Sequence, residues 1–283
     1  MESAVPRPNA AQIADPQHQA LIDERAALPA LASDLVIASV TARSPLLTGA
    51  DWIRIDGALP PLEAAALRRK HAPLPALLDI PGPRSRRARS PLTTTESLVV
   101  AASEDLAWVN LSDLLDPGEL KRARFFVGDR TRLSCTVGEA SVLQRHLDDI
   151  CEAGDALILD LRALGKEVPP TYLEVLLHAV LKRTREHGTP TLLMPGLAPR
   201  QARERRSAAA ATAPVAKLLA AGARGLILTG ETEFSADAQA AIDLARELIW
   251  HARESTGTHR SRHSAQVVID GLDDPSGWLR TIS

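Results

Sequence analysis

The residues of this chain best suited to chemistry are arginines and carboxylates standing at the ends of short apolar runs. Arg54 and Asp56 close the run Trp52–Asp56, Asp79 stands just before Pro81-Gly82-Pro83, Glu139 follows the fifth run and Asp160 stands at the end of the sixth. Two arginine-rich stretches follow the third and seventh runs: Arg84, Arg86, Arg87 and Arg89, then Arg200, Arg203, Arg205 and Arg206. A guanidinium fork fits a carboxylate or phosphate through parallel hydrogen bonds, so this set predicts a small anionic substrate. Glu139 and Asp160 offer hard oxygen ligands suited to one Mg²⁺ or Mn²⁺. Asp79 is a candidate base or ligand, and Asn110, Arg162, Thr229 and Glu231 are candidates for binding substrate.

Each group also has a plain structural role open to it. Charge runs are commonly solvated loop faces. Asp160 can cap the turn after it, Glu139 can start a helix whose dipole favours a carboxylate, and Asp79 can bond the backbone of its own turn. Glu231, within Thr229-Gly-Glu-Thr232, can cap a loop or helix.

Other chemistries are poorly supplied. No lysine closes an apolar run, which argues against Schiff-base catalysis. His251, His259 and His263 lack tight metal spacing, and there is no Ser-His-Asp pattern or glycine-rich phosphate loop. Cys135 and Cys151 form neither a metal pattern nor a disulfide framework, and Cys135 is expected to be a small buried thiol. The two cysteines fit a reducing cytoplasm. Residues Met1 to Asp15 have no apolar h-region, and no apolar run reaches the length of a membrane span. The expectation is therefore a cytoplasmic protein with no membrane partner.

The elements that must position these groups follow a repeating pattern. Eight short apolar runs read as strands: Leu35–Val40, Trp52–Asp56, Ala76–Ile80, Ala107–Leu111, Leu133–Val137, Ala156–Leu161, Thr191–Met194 and Gly225–Thr229. Several are apolar throughout, as expected of strands covered on both faces. Between them lie amphipathic stretches, clearest at Pro61–Lys70, Ala140–Ala153, Tyr172–His187, Pro214–Ala221 and Ala236–Ala252. Strand and helix alternating eight times predict an α/β fold, a closed (β/α)₈ TIM barrel, whose ligands bind at the C-terminal strand ends. That rule selects Thr41, Arg54, Asp56, Asp79, Asn110, Glu139, Asp160, Arg162, Thr229 and Glu231. An N-terminal arm with a short helix at Gln17–Leu28 (1–34), the barrel (35–253) and a tail (254–283) complete the expected organisation.

The length of 283 residues suits one such barrel, and 45% hydrophobic residues can fill its core. With 3% aromatics that core must be aliphatic. A net charge of -2 argues against nucleic acid as a partner. The excess of Arg over Lys and the abundance of Ala match a GC-rich bacterial genome.

Four of these strand-end segments resemble the barrel of pyruvate kinases, in the right order. Glu152–Pro169 (EAGDALILDLRALGKEVP) is similar to that family's EASDGIMVARGDLGVEIP, and Ala221–Thr232 (AGARGLILTGET) to its DGADCIMLSGET. Asp79–Arg86 (DIPGPRSR) resembles DTKGPEIR, and Trp52–Asp56 resembles the strand carrying RLNFSHG. The resemblance implies a barrel of the phosphoenolpyruvate/pyruvate superfamily type. It aligns Arg54, Asp79 and Arg86 with a substrate-side arginine, a potassium-site aspartate and a nucleotide-side arginine, and Glu139 with the glutamate that holds the divalent metal.

Departures are as telling. The family's catalytic lysine falls on Val137, its second metal ligand on Ala163, the threonine after the seventh strand on Pro195, and the serine of NFSHG on Ala58. The connection from Arg86 to Leu106 is too short for the family's inserted β-domain, and the chain ends before its C-terminal domain, so a monomer or homodimer is expected. Phosphoryl transfer is mainly electrostatic stabilisation, and losing one preorganised donor costs about 100- to 1,000-fold. The first expectation is a diverged biosynthetic enzyme acting on a small carboxylate or phosphate metabolite. It would use Arg54, Asp79, Glu139 and Asp160 for metal-assisted, enolate-type lyase or transferase chemistry. A non-catalytic binding barrel and a weak pyruvate kinase are the alternatives.

Overall fold

The computed structural model describes residues 31, 34–82, 106–128, 131–196, 205–233 and 237–259, without the side chains of 205–211, 231 and 255–259. The eight apolar runs are eight strands: β1 (Leu35–Ser39), β2 (Trp52–Asp56), β3 (Ala76–Ile80), β4 (Trp108–Leu111), β5 (Arg132–Val137), β6 (Ala156–Asp160), β7 (Thr191–Met194) and β8 (Gly225–Leu228). Each lies within one residue of its expected bounds. They pair in sequence order, all parallel, and β8 closes on β1 through Leu35–Gly225 and Ile37–Ile227. The chain therefore folds as a closed eight-stranded α/β barrel, a TIM barrel.

The helices are α1 (Pro61–Lys70), α2 (Gly118–Val127), α3 (Ala140–Ala153), α4 (Leu161–Glu167), α5 (Pro170–Glu186), α6 (Arg205–Ala220), α7 (Gly230–Glu233) and α8 (Ala238–His259). Bounds for α1 and α3 are those expected. Helix α2 went unmarked in the sequence, although Leu120, Ala123 and Val127 repeat on one face and are buried. Helix α5 starts at Pro170, whose missing N–H is no loss at the first helical position. Helix α6 carries Pro214 inside it and begins nine residues before the expected start. Helix α8 runs past the expected tail boundary to His259 despite Gly257, which costs about 1 kcal/mol relative to alanine. The expected N-terminal helix Gln17–Leu28 and the far tail lie outside the described residues.

Two apolar groups hold the barrel together. The larger lies between the strands and the surrounding helices. The smaller joins Leu35, Ile37, Leu77, Trp108, Ala156, Ile158, Leu192 and Ile227 with Leu31, Trp52 and Met194. These alternate with the outer set along each strand, so they are the inward positions that fill the lumen. Trp52 meets Trp108 edge to face, with ring centres 5.2 Å apart. The aliphatic core expected from composition is thus interrupted by a tryptophan pair at its axis. Among the described residues, no helix is long and apolar enough to cross a membrane.

His71, which ends α1, is buried, and its Nε2 has no hydrogen-bond partner among the described residues. Burial, helped by the Lys70 charge, pushes its pKa below the usual histidine value. The unfolded chain then binds a proton more readily than the folded one, so this group favours folding above its unfolded pKa. That contribution is lost as pH falls through the folded value. Denaturant titrations should show stability dropping as pH falls below about 6.5. His71→Leu should flatten that segment of the profile, and an unchanged slope would refute the assignment.

Candidate functional site

Register decides which polar side chains meet. Ser39 pairs with Arg54, Asp79 with Asn110, and Asn110 with Ser134, each pair on the inward face at the C-terminal end of the lumen. The Arg54 guanidinium donates to Asp79 Oδ2 and, through Nη1, to Ser39 Oγ at 2.9 Å. Glu233 Oε1 stands 3.7 Å from the same Nη1, an ion pair too long for a hydrogen bond. Asn110 Nδ2 donates to Asp79 Oδ1 and to Thr136 Oγ1, and its Oδ1 accepts from Ser134 Oγ at 2.8 Å. The Ser112 hydroxyl lies 2.8 and 2.9 Å from the two Asp79 oxygens. Asp79 is 3% exposed and Asn110 1%. Both are enclosed, while part of Arg54 reaches the surface.

The electrostatics follow from that enclosure. Burial by itself lowers the pKa of the Arg54 guanidinium. Asp79, Glu233 and Asp56 together outweigh it and raise the value. Arg54 is therefore a fixed cation held among carboxylates. Gly57 keeps the arrangement tight: its N–H donates to the Asp79 carbonyl at 2.7 Å, and a Cβ there would sit 2.8 Å from that oxygen.

A clasp closes the seam between β8 and β1. Thr232 Oγ1 donates to the Ser39 carbonyl at 2.8 Å, and Thr41 Oγ1 to the Glu233 carbonyl at 2.9 Å. Ser44 Oγ reaches the carbonyls of Thr232 and Glu233, both at 3.1 Å. The Thr229-Gly-Glu-Thr232 stretch is thus a short helical turn that carries Glu233 to the mouth. Thr229 accepts from the Thr232 N–H through its carbonyl.

The structure brings Arg54, Asp79 and Asn110 into one network, while Asp160 and Asp56 accept from backbone N–H groups. Asp160 Oδ1 accepts from the N–H groups of Arg162 and Ala163 at 3.0 and 2.9 Å, so it caps α4. Two orphan donors of the helix thus hold one oxygen of the carboxylate expected to act as a catalytic and metal-binding group. Glu139 is the N-cap residue of α3, half-buried. Asp56 accepts from the Ala58 N–H at 2.9 Å and is exposed. Arg162 is exposed, with its aliphatic stem against Gly196 at the end of β7. Arg86, the rest of the Arg84–Arg89 run, Arg200, Arg203 and the side chains of Glu231, Arg205 and Arg206 lie outside the described residues.

Among the described residues no three His, Cys, Asp or Glu side chains converge as a metal cluster would require. Asp160 spends one oxygen on its cap, and Glu139 makes no side-chain cap to its helix.

Five members of the mouth escaped sequence reasoning: Ser39, Ser112, Ser134, Thr136 and Glu233. Ser39, Ser134 and Thr136 carry a readable signal, since each is polar at an inward position, two residues from another inward residue. Ser112 and Glu233 lie just beyond strand or turn, where alternation says nothing. The chain matches no protein-family model and no curated protein, so the chemistry of the mouth is read from its own geometry.

Proposed function

We propose that the protein binds a small carboxylate- or phosphate-bearing metabolite at the mouth of the barrel, with Arg54 as the cation that meets it. The observation that carries this reading is the abrupt change of polarity along the lumen. Apart from Arg132, its lower positions are apolar, whereas Ser39, Arg54, Asp79, Asn110 and Thr136 crowd its C-terminal end. Buried polar groups add less stability than apolar packing, and such local departures concentrate where ligands bind. Asp79 is too fully engaged to serve as a base; it is a positioning residue that aims Arg54. Glu233, in a long pair with Nη1, holds the place that a ligand's carboxylate or phosphate would take.

Two further features support an anion. The segments that follow β3 and β7 carry eight arginines in the sequence, Arg205 and Arg206 at the start of α6, and both segments begin on this rim. The resemblance to pyruvate kinase barrels supplies a reaction class, enolate-type lyase or transferase chemistry on the bound metabolite. A second reading, a barrel that binds without turnover, is favoured by the commitment of Asp79 to Arg54 and of Asp160 to its helix.

Calorimetric titration with oxalate tests the binding. Arg54→Met should weaken it by about 10- to 100-fold, the worth of one charged hydrogen bond. Glu233→Gln should tighten it several-fold by removing the competing charge. Equal affinities across the three proteins would overturn the proposal. Enolate formation, followed by proton exchange from pyruvate into solvent, separates the enzyme from the binding protein.

A further inference from the structure

We infer that the opposite end of the barrel carries a second anion site, formed by Arg132, Arg185 and Arg224 around a cleft of about 330 Å³. The cleft opens at the N-terminal strand ends. Arg132 begins β5, Arg224 immediately precedes β8, Arg185 lies in the last turn of α5, and the turn Gly188–Pro190 leads into β7. The site is distinct from the mouth, since no residue is shared.

Three observations make this more than surface charge. First, the arginines come from three separate elements and converge on one concavity. The single lining carboxylate among the described residues, Asp155, already pairs with Arg124 and accepts from the Leu133 N–H at 2.8 Å. Second, Arg185 and Arg224 form no ion pair among the described residues, so their charge is available to a ligand. Third, Arg185 is placed rather than loose. Its Cδ and Nη1 would lie 3.2 and 3.4 Å from a Cβ on Gly222, whose φ of 116° also favours glycine. The bare backbone there makes the shelf on which the guanidinium rests.

Arg132 forms the floor. It is buried, and its guanidinium carbon sits 5.6 Å from the centre of the Trp108 ring. Burial lowers the pKa of Arg132, against the opposing pull of Asp155. The volume is at the small end for ligand sites, which suits a compact phosphate- or carboxylate-bearing molecule rather than a polymer. Arginine forks match the planar or tetrahedral oxygens of such groups.

The test titrates inorganic phosphate into the full chain at constant ionic strength, reading heat and tryptophan fluorescence. The wild type should bind saturably, with a fluorescence change from the tryptophan pair above Arg132. Arg185→Gln/Arg224→Gln should weaken this binding at least tenfold, while Arg54→Met, at the far end, should keep it. Both exchanged side chains are exposed, and the two single variants, each expected to weaken binding in part, stand in if the pair fails to fold. Absence of saturable binding to the wild type, or wild-type affinity in the arginine variants, overturns the inference. Loss of phosphate binding and its fluorescence change in Arg54→Met alone would also overturn it, by assigning the phosphate to the mouth.

Discussion

Asp79→Leu is expected to destabilise the barrel by about 3–5 kcal/mol, because it leaves the Arg54 guanidinium in a buried place without its principal counter-ion. The remaining partners cannot compensate. Ser39 offers one neutral acceptor, and Glu233 stands 3.7 Å away. Asn110 keeps Thr136 and Ser134, and Ser112 can turn its hydroxyl elsewhere, so the cost falls mainly on the charge. In a domain of this size the loss should lower the melting temperature by roughly 10 °C. Arg54→Met alone should also destabilise, since it strands the Asp79 carboxylate. The double variant Arg54→Met/Asp79→Leu should lose less than the two single losses added together, by about 1–3 kcal/mol, the signature of two side chains in one network. Strict additivity in thermal or urea unfolding would mean that the two groups do not depend on each other, and the positioning role of Asp79 would fail with it.

That result would also locate what the sequence could and could not convey. The strands were legible because a parallel barrel covers each of them on both sides, leaving unbroken apolar runs such as Leu35–Ala38 and Leu157–Leu159 that turn residues punctuate. Arg54, Asp79 and Asn110 were legible as site candidates because the fold fixes which end of each strand gathers ligands. What stayed hidden was the pairing among them. Whether Asp160 faces a ligand or its own helix depends on the backbone turning into α4 at once, so that the Arg162 and Ala163 N–H groups reach the carboxylate first. Nothing in the residue types distinguishes those outcomes. The partners Ser134 and Thr136 were hidden differently. Reading β5 as simply buried ignores that its two faces differ: Leu133, Cys135 and Val137 pack toward helices, while Ser134 and Thr136 face the lumen. The burial that raises the Cys135 thiol's pKa marks it as part of the outward core. The N-terminal cleft had no sequence signal at all, since Arg132, Arg185 and Arg224 are far apart in the chain and meet only when the barrel closes.

Trp108→Ala should be the other severe substitution, at about 3–5 kcal/mol, the range for removing a large buried aromatic. Trp108 has no exposed surface and lies at the barrel axis, where eight strands leave little freedom for neighbours to collapse into a void. Its loss removes the edge contact with Trp52, the ring face against Arg132 and the Nε1 donation to Ser134 Oγ at 2.9 Å. Trp108→Phe separates these. It keeps an aromatic ring against Trp52 but removes the donor, so it should cost less, and the difference reports the cavity. The hydrogen bond matters beyond its own strength. Ser134 donates onward to Asn110, which holds Asp79, which holds Arg54, so one unbroken series of contacts runs from the floor of the N-terminal cleft to the mouth. Trp108→Phe should therefore shift the oxalate affinity of the mouth as well as stability, whereas a cavity-forming change elsewhere in the lumen, such as Leu192→Ala, should lower stability and leave oxalate binding alone. If both variants change stability and neither changes oxalate binding, the two ends of the barrel are held up by common packing and do not communicate through Ser134.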